Sequence, residues 1–492
     1  MDSKSRFQKY APSSFLILTL LILFFVLFKY PQPGVADQGD FDRVMSISDL
    51  QLTDRDKENP SFQRFFKYLV TDYRILKGNI VKNSIFTSSI AFPIKLINFF
   101  CSLLGKNIFK TTYLAAVYGF LYILSFYIIM KYIHIQNRAV IIIFMLLCIF
   151  IFFDGNYLIW FNSLYGEPMM LISLLLYIAA WLYYYHCRAL DNSFKSLLSI
   201  AFILLCSLLF LGSKMQTITA LPVIFIMLMK LLYENAAFLG KIKSAALFTL
   251  VFIISVYPLA INMENKGINK DIKYNSVFYG VLKNSKDPRK DLIAMNLNPD
   301  MAVEAGKHSY LSAKAYVKYF PHSEATENEF YSKISNSKLV KFYITHPKRL
   351  IQGMEYTAKQ AFNTSTSLGH YERTYSEKPI RSFNRFVLWS CLRNFLLPKS
   401  LIFIILFYIV FFSISLKSYL KTSAKAVKNK LQLLWAIAFI GILQFPMPFI
   451  GNGRADTGKQ LFLFNFTFDI LIAVSLCFIF YKLMLLISKR RA

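Results

Sequence analysis

The sequence predicts an all-α polytopic membrane protein with about ten transmembrane helices and a small extracytoplasmic domain inserted between helices seven and eight. Three observations predict it. Of the 492 residues, 55% are hydrophobic and 17% aromatic. The apolar residues arrive in long runs rather than in the periodic pattern of a soluble core. Lysine and arginine collect at alternate ends of those runs, as short cytoplasmic loops require.

In chain order the runs are Ser14 to Tyr30, Thr112 to Met130, Ala139 to Phe153, Pro168 to Tyr185, Leu197 to Leu211, Thr217 to Leu232, Ala245 to Ile261, Leu401 to Leu416, Leu431 to Ile450 and Leu461 to Ile487. Each is near the length of one bilayer crossing. The first is long for a cleaved leader ending at Gly34-Val35-Ala36, which favours a retained anchor.

The basic sets are Lys4, Arg6 and Lys9; Lys131 and Arg138; Arg188 and Lys195; Lys230, Lys241 and Lys243; Lys417 to Lys430; and Lys489 to Arg491. All of them fall at inner ends if both termini are cytoplasmic. The apolar segment Ser84 to Gly105 would break this alternation if it crossed, and it carries Pro93 and Lys95, so it reads as an interfacial or re-entrant helix. The chain then divides into a tail and first helix (1–30), a long first outer loop (31–111), helices two to seven (112–261), an extracytoplasmic soluble domain (262–399) and helices eight to ten with a tail (400–492). Asn298-Pro299 and His346-Pro347 give turn signals in the soluble segment, and Leu339 to Phe362 has helical periodicity.

A formal net charge of +29 is mostly this inner-side bias together with anchoring to anionic lipid, and so apolar a chain is not expected to bind nucleic acid. Five of the six cysteines lie in or beside apolar runs and Cys391 has no outer-side partner, which predicts no disulfide framework. The six histidines lack metal-ligand spacing. There is no P-loop, Rossmann glycine pattern, G-x-S-x-G or H-E-x-x-H.

Three dense polar stretches fall on the outer side. In the first, Asp37, Asp40 and Asp42 surround Gly39, with Arg43 beside them. Glycine permits a tight turn, and a carboxylate tuned by burial or by a like charge can act as a general base. A merely solvated, turn-forming acidic loop has the same composition. In the second, Asp154 to Pro168, Glu167 precedes an apolar helix, where it either complements the helix dipole or supplies a second site carboxylate. Lys214, in a tight turn, and Arg454 and Lys459, in Gly451 to Gln460, run against the positive-inside trend. Phosphate is the natural ligand for such cations, and snorkelling to headgroups is the plain alternative. Asp469 inside the last run reads equally as a helix-to-helix partner.

With these stretches in place, the chain resembles the GT-C superfamily of integral-membrane glycosyltransferases, which use polyprenyl-phosphate-linked sugars. The resemblance rests on the acidic motif Asp37 to Arg43, the amphipathic segments completing the first outer loop, and about seven spans before the large outer segment. The segments Phe161 to Pro168, Gly212 to Gln216 and Gly451 to Lys459 are similar to those of a bacterial branch that includes proposed S-layer glycan hexose transferases. The resemblance implies a GT-C-like fold in a bacterial plasma membrane and a catalytic carboxylate, Asp40 with Asp37 as competitor, that deprotonates an acceptor hydroxyl. It also implies substrate binding by Arg43, Asn162, Glu167, Lys214, Gln216, Arg454, Asp456 and Lys459.

The function so implied is transfer of one sugar, with inversion, from a polyprenyl-phosphate donor to a glycan, lipid or protein on the outer face. Some members of that superfamily bind a divalent metal through such carboxylates and others do not. A lipid-linked glycan flippase is the rival reading, and a noncatalytic envelope scaffold is the third.

Overall fold

Backbone amides inside a bilayer have no water to bond, so an apolar run there closes its hydrogen bonds within a helix. The computed structural model describes residues 3–54, 63–76, 88–135, 137–190, 193–264 and 266–491. Seven helices among them are long and apolar enough to cross a membrane: Thr111–Tyr132, Glu167–Ala189, Phe194–Leu211, Met215–Met263, Leu401–Lys421, Lys425–Asn452 and Phe462–Ser488. An eighth is a bent pair, Arg138–Phe152 with Gly155–Asn162, turned by 54°. This is a multi-pass helical membrane protein.

Local chemistry explains where these helices depart from straight spans. At 49 residues, Met215–Met263 would be about 74 Å long, more than twice the hydrocarbon core. Gly240, at φ 71° and ψ 176°, breaks it between the two apolar runs read from the sequence. The 54° bend follows Asp154, whose carboxylate accepts from Asn156 N (2.9 Å) and from Ser390 N (2.9 Å) and so stops the helix. Beyond the bend the chain does not leave the bundle. Tyr157, Trp160 and Asn162 are all buried, so much of the polar stretch expected as an outer loop is packed interior.

The first long loop is not wholly helical, which corrects the all-α expectation. Leu50–Leu52, Asp72–Ile75 and Ile108–Lys110 form an antiparallel three-stranded sheet with Asp72–Ile75 in the centre. Strands of three or four residues are too short to leave a clear alternating pattern in the sequence. Of the expected Ser84 to Gly105 segment, the part up to Thr87 lies outside the described residues. The remainder contains the helix Ala91–Leu103, whose 13 residues span about 20 Å, less than a bilayer core. It buries Ile94 and Ile97 and exposes Phe92, Leu96, Phe99 and Phe100.

Between Met263 and Leu401 the chain forms short helices, among them Lys266–Tyr274, Asn336–Thr345, Pro347–Gln360 and Leu388–Leu396. Tyr274, Phe278, Met301 and Phe330 are buried beneath them. The segment is tied to the first loop by backbone bonds, Gly34 N to His370 O and Ala36 N to Gly369 O, both 2.9 Å. Its end is anchored by the fully buried Arg393, which meets Asp469 of the last helix at 2.5 Å. Tyr157 (2.8 Å) and Trp389 (2.9 Å) donate to the same Asp469 oxygen, while Arg393 Nε donates to Phe362 O (2.9 Å). Asp469 is therefore a helix partner.

Removing one member of a buried ion pair leaves a charge without compensation. Arg393→Met is expected to cost about 3–5 kcal/mol, read as a lower melting temperature in detergent, and Asp469→Leu added to it to recover much of the loss. A single variant as stable as wild type would deny the network its structural role.

Candidate functional site

The turn Asp37 to Asp40 is built on Gly39, whose φ of 109° a side-chain-bearing residue rarely adopts. Asp37 is fully buried, and its Oδ1 accepts from Gly39 N at 2.7 Å and Phe41 N at 3.2 Å, which fixes the start of the helix Phe41–Ile47. Its Oδ2 accepts no hydrogen bond from the described residues and lies 3.7 Å from Arg64. Burial pushes the Asp37 carboxyl above the ordinary range, while the two amides and Arg64 pull it back.

Asp40 is treated differently. Lys459 Nζ meets its Oδ2 at 2.8 Å and Arg43 its Oδ1 at 3.4 Å, and 29% of its side chain remains exposed. Burial alone would raise its pKa, but Lys459, then Arg43 and Lys214, outweigh it and hold the group well below the usual carboxylate range. Burial acts to lower the Lys459 ammonium, yet Asp40, Glu167 and Asp456 together lift it. The two charges hold each other ionised.

Around this pair stand groups from three more parts of the chain. Glu167, at the start of its helix and fully buried, is ion-paired with Lys214. Tyr165 donates to Ala36 O (2.9 Å) and carries Lys459 over its ring at 5.2 Å. Asp456, in the left-handed conformation at φ 51°, accepts from Gln38 Nε2 at 2.6 Å. Several buried polar atoms here have no hydrogen-bond partner among the described residues: Asp37 Oδ2, Glu167 Oε2, Thr457 Oγ1 and Gln460 Oε1. Such concentration at one place fits a site that a polar ligand or water completes.

The sequence-predicted residues thus divide. Asp37, Asp40, Arg43, Glu167, Lys214, Asp456 and Lys459 gather in one cluster. Gln216 lies at its edge, donating to Gln460 O at 3.4 Å. Asn162 is buried and occupied, donating to Leu27 O (2.9 Å) and accepting from Gln32 (3.0 Å), so it ties the end of the first helix. Arg454 turns into a separate cavity, where its guanidinium covers the Tyr356 ring at 4.6 Å. Sequence reasoning missed Arg64, Gln38 and Tyr165. Only Gln38 and Tyr165 stood in stretches already singled out; Arg64 gave no signal. Among the described residues no three His, Cys, Asp or Glu side chains gather closely enough to hold a metal ion, and both Asp40 oxygens already face cations.

The family described as the YfdI N-terminal transmembrane domain matches residues 2–492, and the chain belongs to that family. No curated protein and no solved structure matches it.

The Asp40–Lys459 pair has a definite acid signature. A carboxyl whose folded pKa is depressed adds stability above its unfolded pKa and loses it as pH falls through the folded value. Wild type is expected to melt above Asp40→Asn at neutral pH, with the gap closing progressively below about pH 4. Melting curves from pH 7 downward check this; a constant gap would place the stabilisation elsewhere.

Proposed function

We propose that the protein is a membrane glycosyltransferase that moves a sugar from a polyprenyl-phosphate donor to a glycan, lipid or protein acceptor, with inversion at the anomeric carbon. The observation that supports it best is the cluster of Asp37, Asp40, Lys459, Lys214 and Glu167 with its partnerless buried atoms, set at one end of the membrane helices. A carboxylate beside two ammonium groups is what an acceptor hydroxyl and a departing phosphate together need.

In this reading Lys459 and Lys214 neutralise the donor phosphate. The acceptor oxygen attacks the anomeric carbon, its proton passes to Asp40, and the carbon–oxygen bond to phosphate breaks with the electron pair leaving on phosphate. Phosphate drawn to Lys459 would also relieve Asp40 of its tightest counter-ion and so raise its basicity when a proton must be taken. Asp37, buried and pushed upward, is the competing base. No step is routed through a metal. The proposal includes ten crossings, cytoplasmic termini, the site on the outer face of a bacterial plasma membrane, and no nucleic-acid partner.

Asp40→Asn should keep the fold and donor binding while lowering transfer by about a hundred- to ten-thousandfold. The assay is release of polyprenyl phosphate by the purified protein in detergent. If Asp37→Asn loses turnover and Asp40→Asn keeps it, the base is Asp37. Donor relocated across liposomes without being consumed would support a flippase instead.

Orientation has its own test. Cysteines placed at Asp42 and Lys359 should be labelled from outside the cell, and one at Lys421 should not. The opposite pattern would invert the topology and remove the outer-face site.

A further inference from the structure

A cavity of about 390 Å³ lies between the short helices of the 266–397 segment and the turn before the last span. That volume is within the range of small-ligand sites. Gly453 makes it possible: at φ 60° it ends the helix Met447–Asn452, and a Cβ there would collide with the Asn275 carbonyl. The turn sends Arg454 one way and Lys459 the other. Lys459 goes to Asp40 and Tyr165, and Arg454 goes to the cavity wall.

The wall is unfinished in a specific way. Arg454 Nε and the Tyr343 hydroxyl are buried in it without a hydrogen-bond partner among the described residues. The Asn284 side-chain oxygen, in the amide orientation that satisfies both its ends, accepts from Arg454 at 2.5 and 3.2 Å, so one face of the guanidinium fork is anchored and Nε is left over. Of the other charges, Arg349 is matched by Asp291, while Lys359 at the exposed rim exceeds Glu355 only with Arg454 counted, leaving the lining net positive. Tyr356 and the largely buried Phe449 add aromatic carbon to the lining, a kind of surface that meets the carbon face of a sugar ring.

We infer that this cavity binds an anionic sugar, one bearing a carboxylate or a phosphate, as part of the acceptor; the acceptor role rests on the transferase reading above. A lipid-borne donor reaches Lys459 among the membrane helices. The Arg454 cavity is walled largely by the segment between the spans, as a water-soluble acceptor headgroup requires. The cavity and the Asp40 cluster share the turn Gly453 to Gln460, so an acceptor held at Arg454 lies against the same backbone that carries Asp456 and Lys459.

The test is equilibrium calorimetry on the full chain in detergent without donor, titrating glucuronate, glucose 6-phosphate and, as neutral control, glucose. At least one anion should bind about tenfold more tightly than glucose, and Arg454→Gln should remove about that factor. The better of the two anions identifies carboxylate or phosphate. Lys359 is exposed, so Lys359→Gln keeps the test decisive if Arg454→Gln does not fold; it should weaken the anion and spare glucose. Lys106→Gln, at an exposed loop position outside the cavity and the Asp40 cluster, should leave anionic-sugar binding unchanged. Anions no tighter than glucose, no effect of either cavity variant, or an equal loss in Lys106→Gln would each overturn the assignment. Intact anionic-sugar binding in a protein that never consumes donor would sink the transferase reading alone.

Discussion

The contact between Lys459 and Asp40 joins residues 419 positions apart, and the polar end of the molecule is organised around it. Each partly buried charge offsets the cost of desolvating the other. Together they fix the first loop against the turn before the last helix. Tyr165 then packs beneath the ammonium, and its hydroxyl reaches Ala36. Gln38 and Asp456 add a second tie between the same two loops. The arrangement is one of mutual dependence rather than of a rigid scaffold carrying loose loops.

The same rule governs the interior. Arg393 and Asp469 are fully buried, and every neighbour that reaches them spends a hydrogen bond on the pair. Through that network the segment preceding the eighth expected run is held to the last helix and to the bent pair. Backbone bonds from Gly34 and Ala36 hold its other part to the first loop. A stretch that reads as a separate soluble domain is thereby interlocked with the bundle at both faces.

Positive charge at this end is also divided. Lys214 and Lys459 face carboxylates of the cluster, whereas Arg454, five residues from Lys459, stacks on Tyr356 in a different cavity. The turn that opens at Gly453 produces the division, since the left-handed Asp456 redirects the chain between the two cations. Cations that look equivalent along a sequence acquire different work from one turn.

What the sequence determined by itself was whatever depends on local composition. Long apolar runs become helices because a bilayer offers backbone amides no other partner, and the break at Gly240 and the shortness of Ala91–Leu103 were legible in Lys241, Lys243, Pro93 and Lys95. The acidic turn with Gly39, Glu167 at a helix start, and the lysines in short polar turns were visible for the same reason. Only tertiary structure decided which of them meet. It paired Asp40 with Lys459 and Glu167 with Lys214, gave Asn162 to the end of the first helix, and took Arg454 away. It also brought in Arg64, whose approach to Asp37 no spacing announces. Pairing of distant charges depends on distance and dielectric in the folded chain, and neither quantity exists along a sequence.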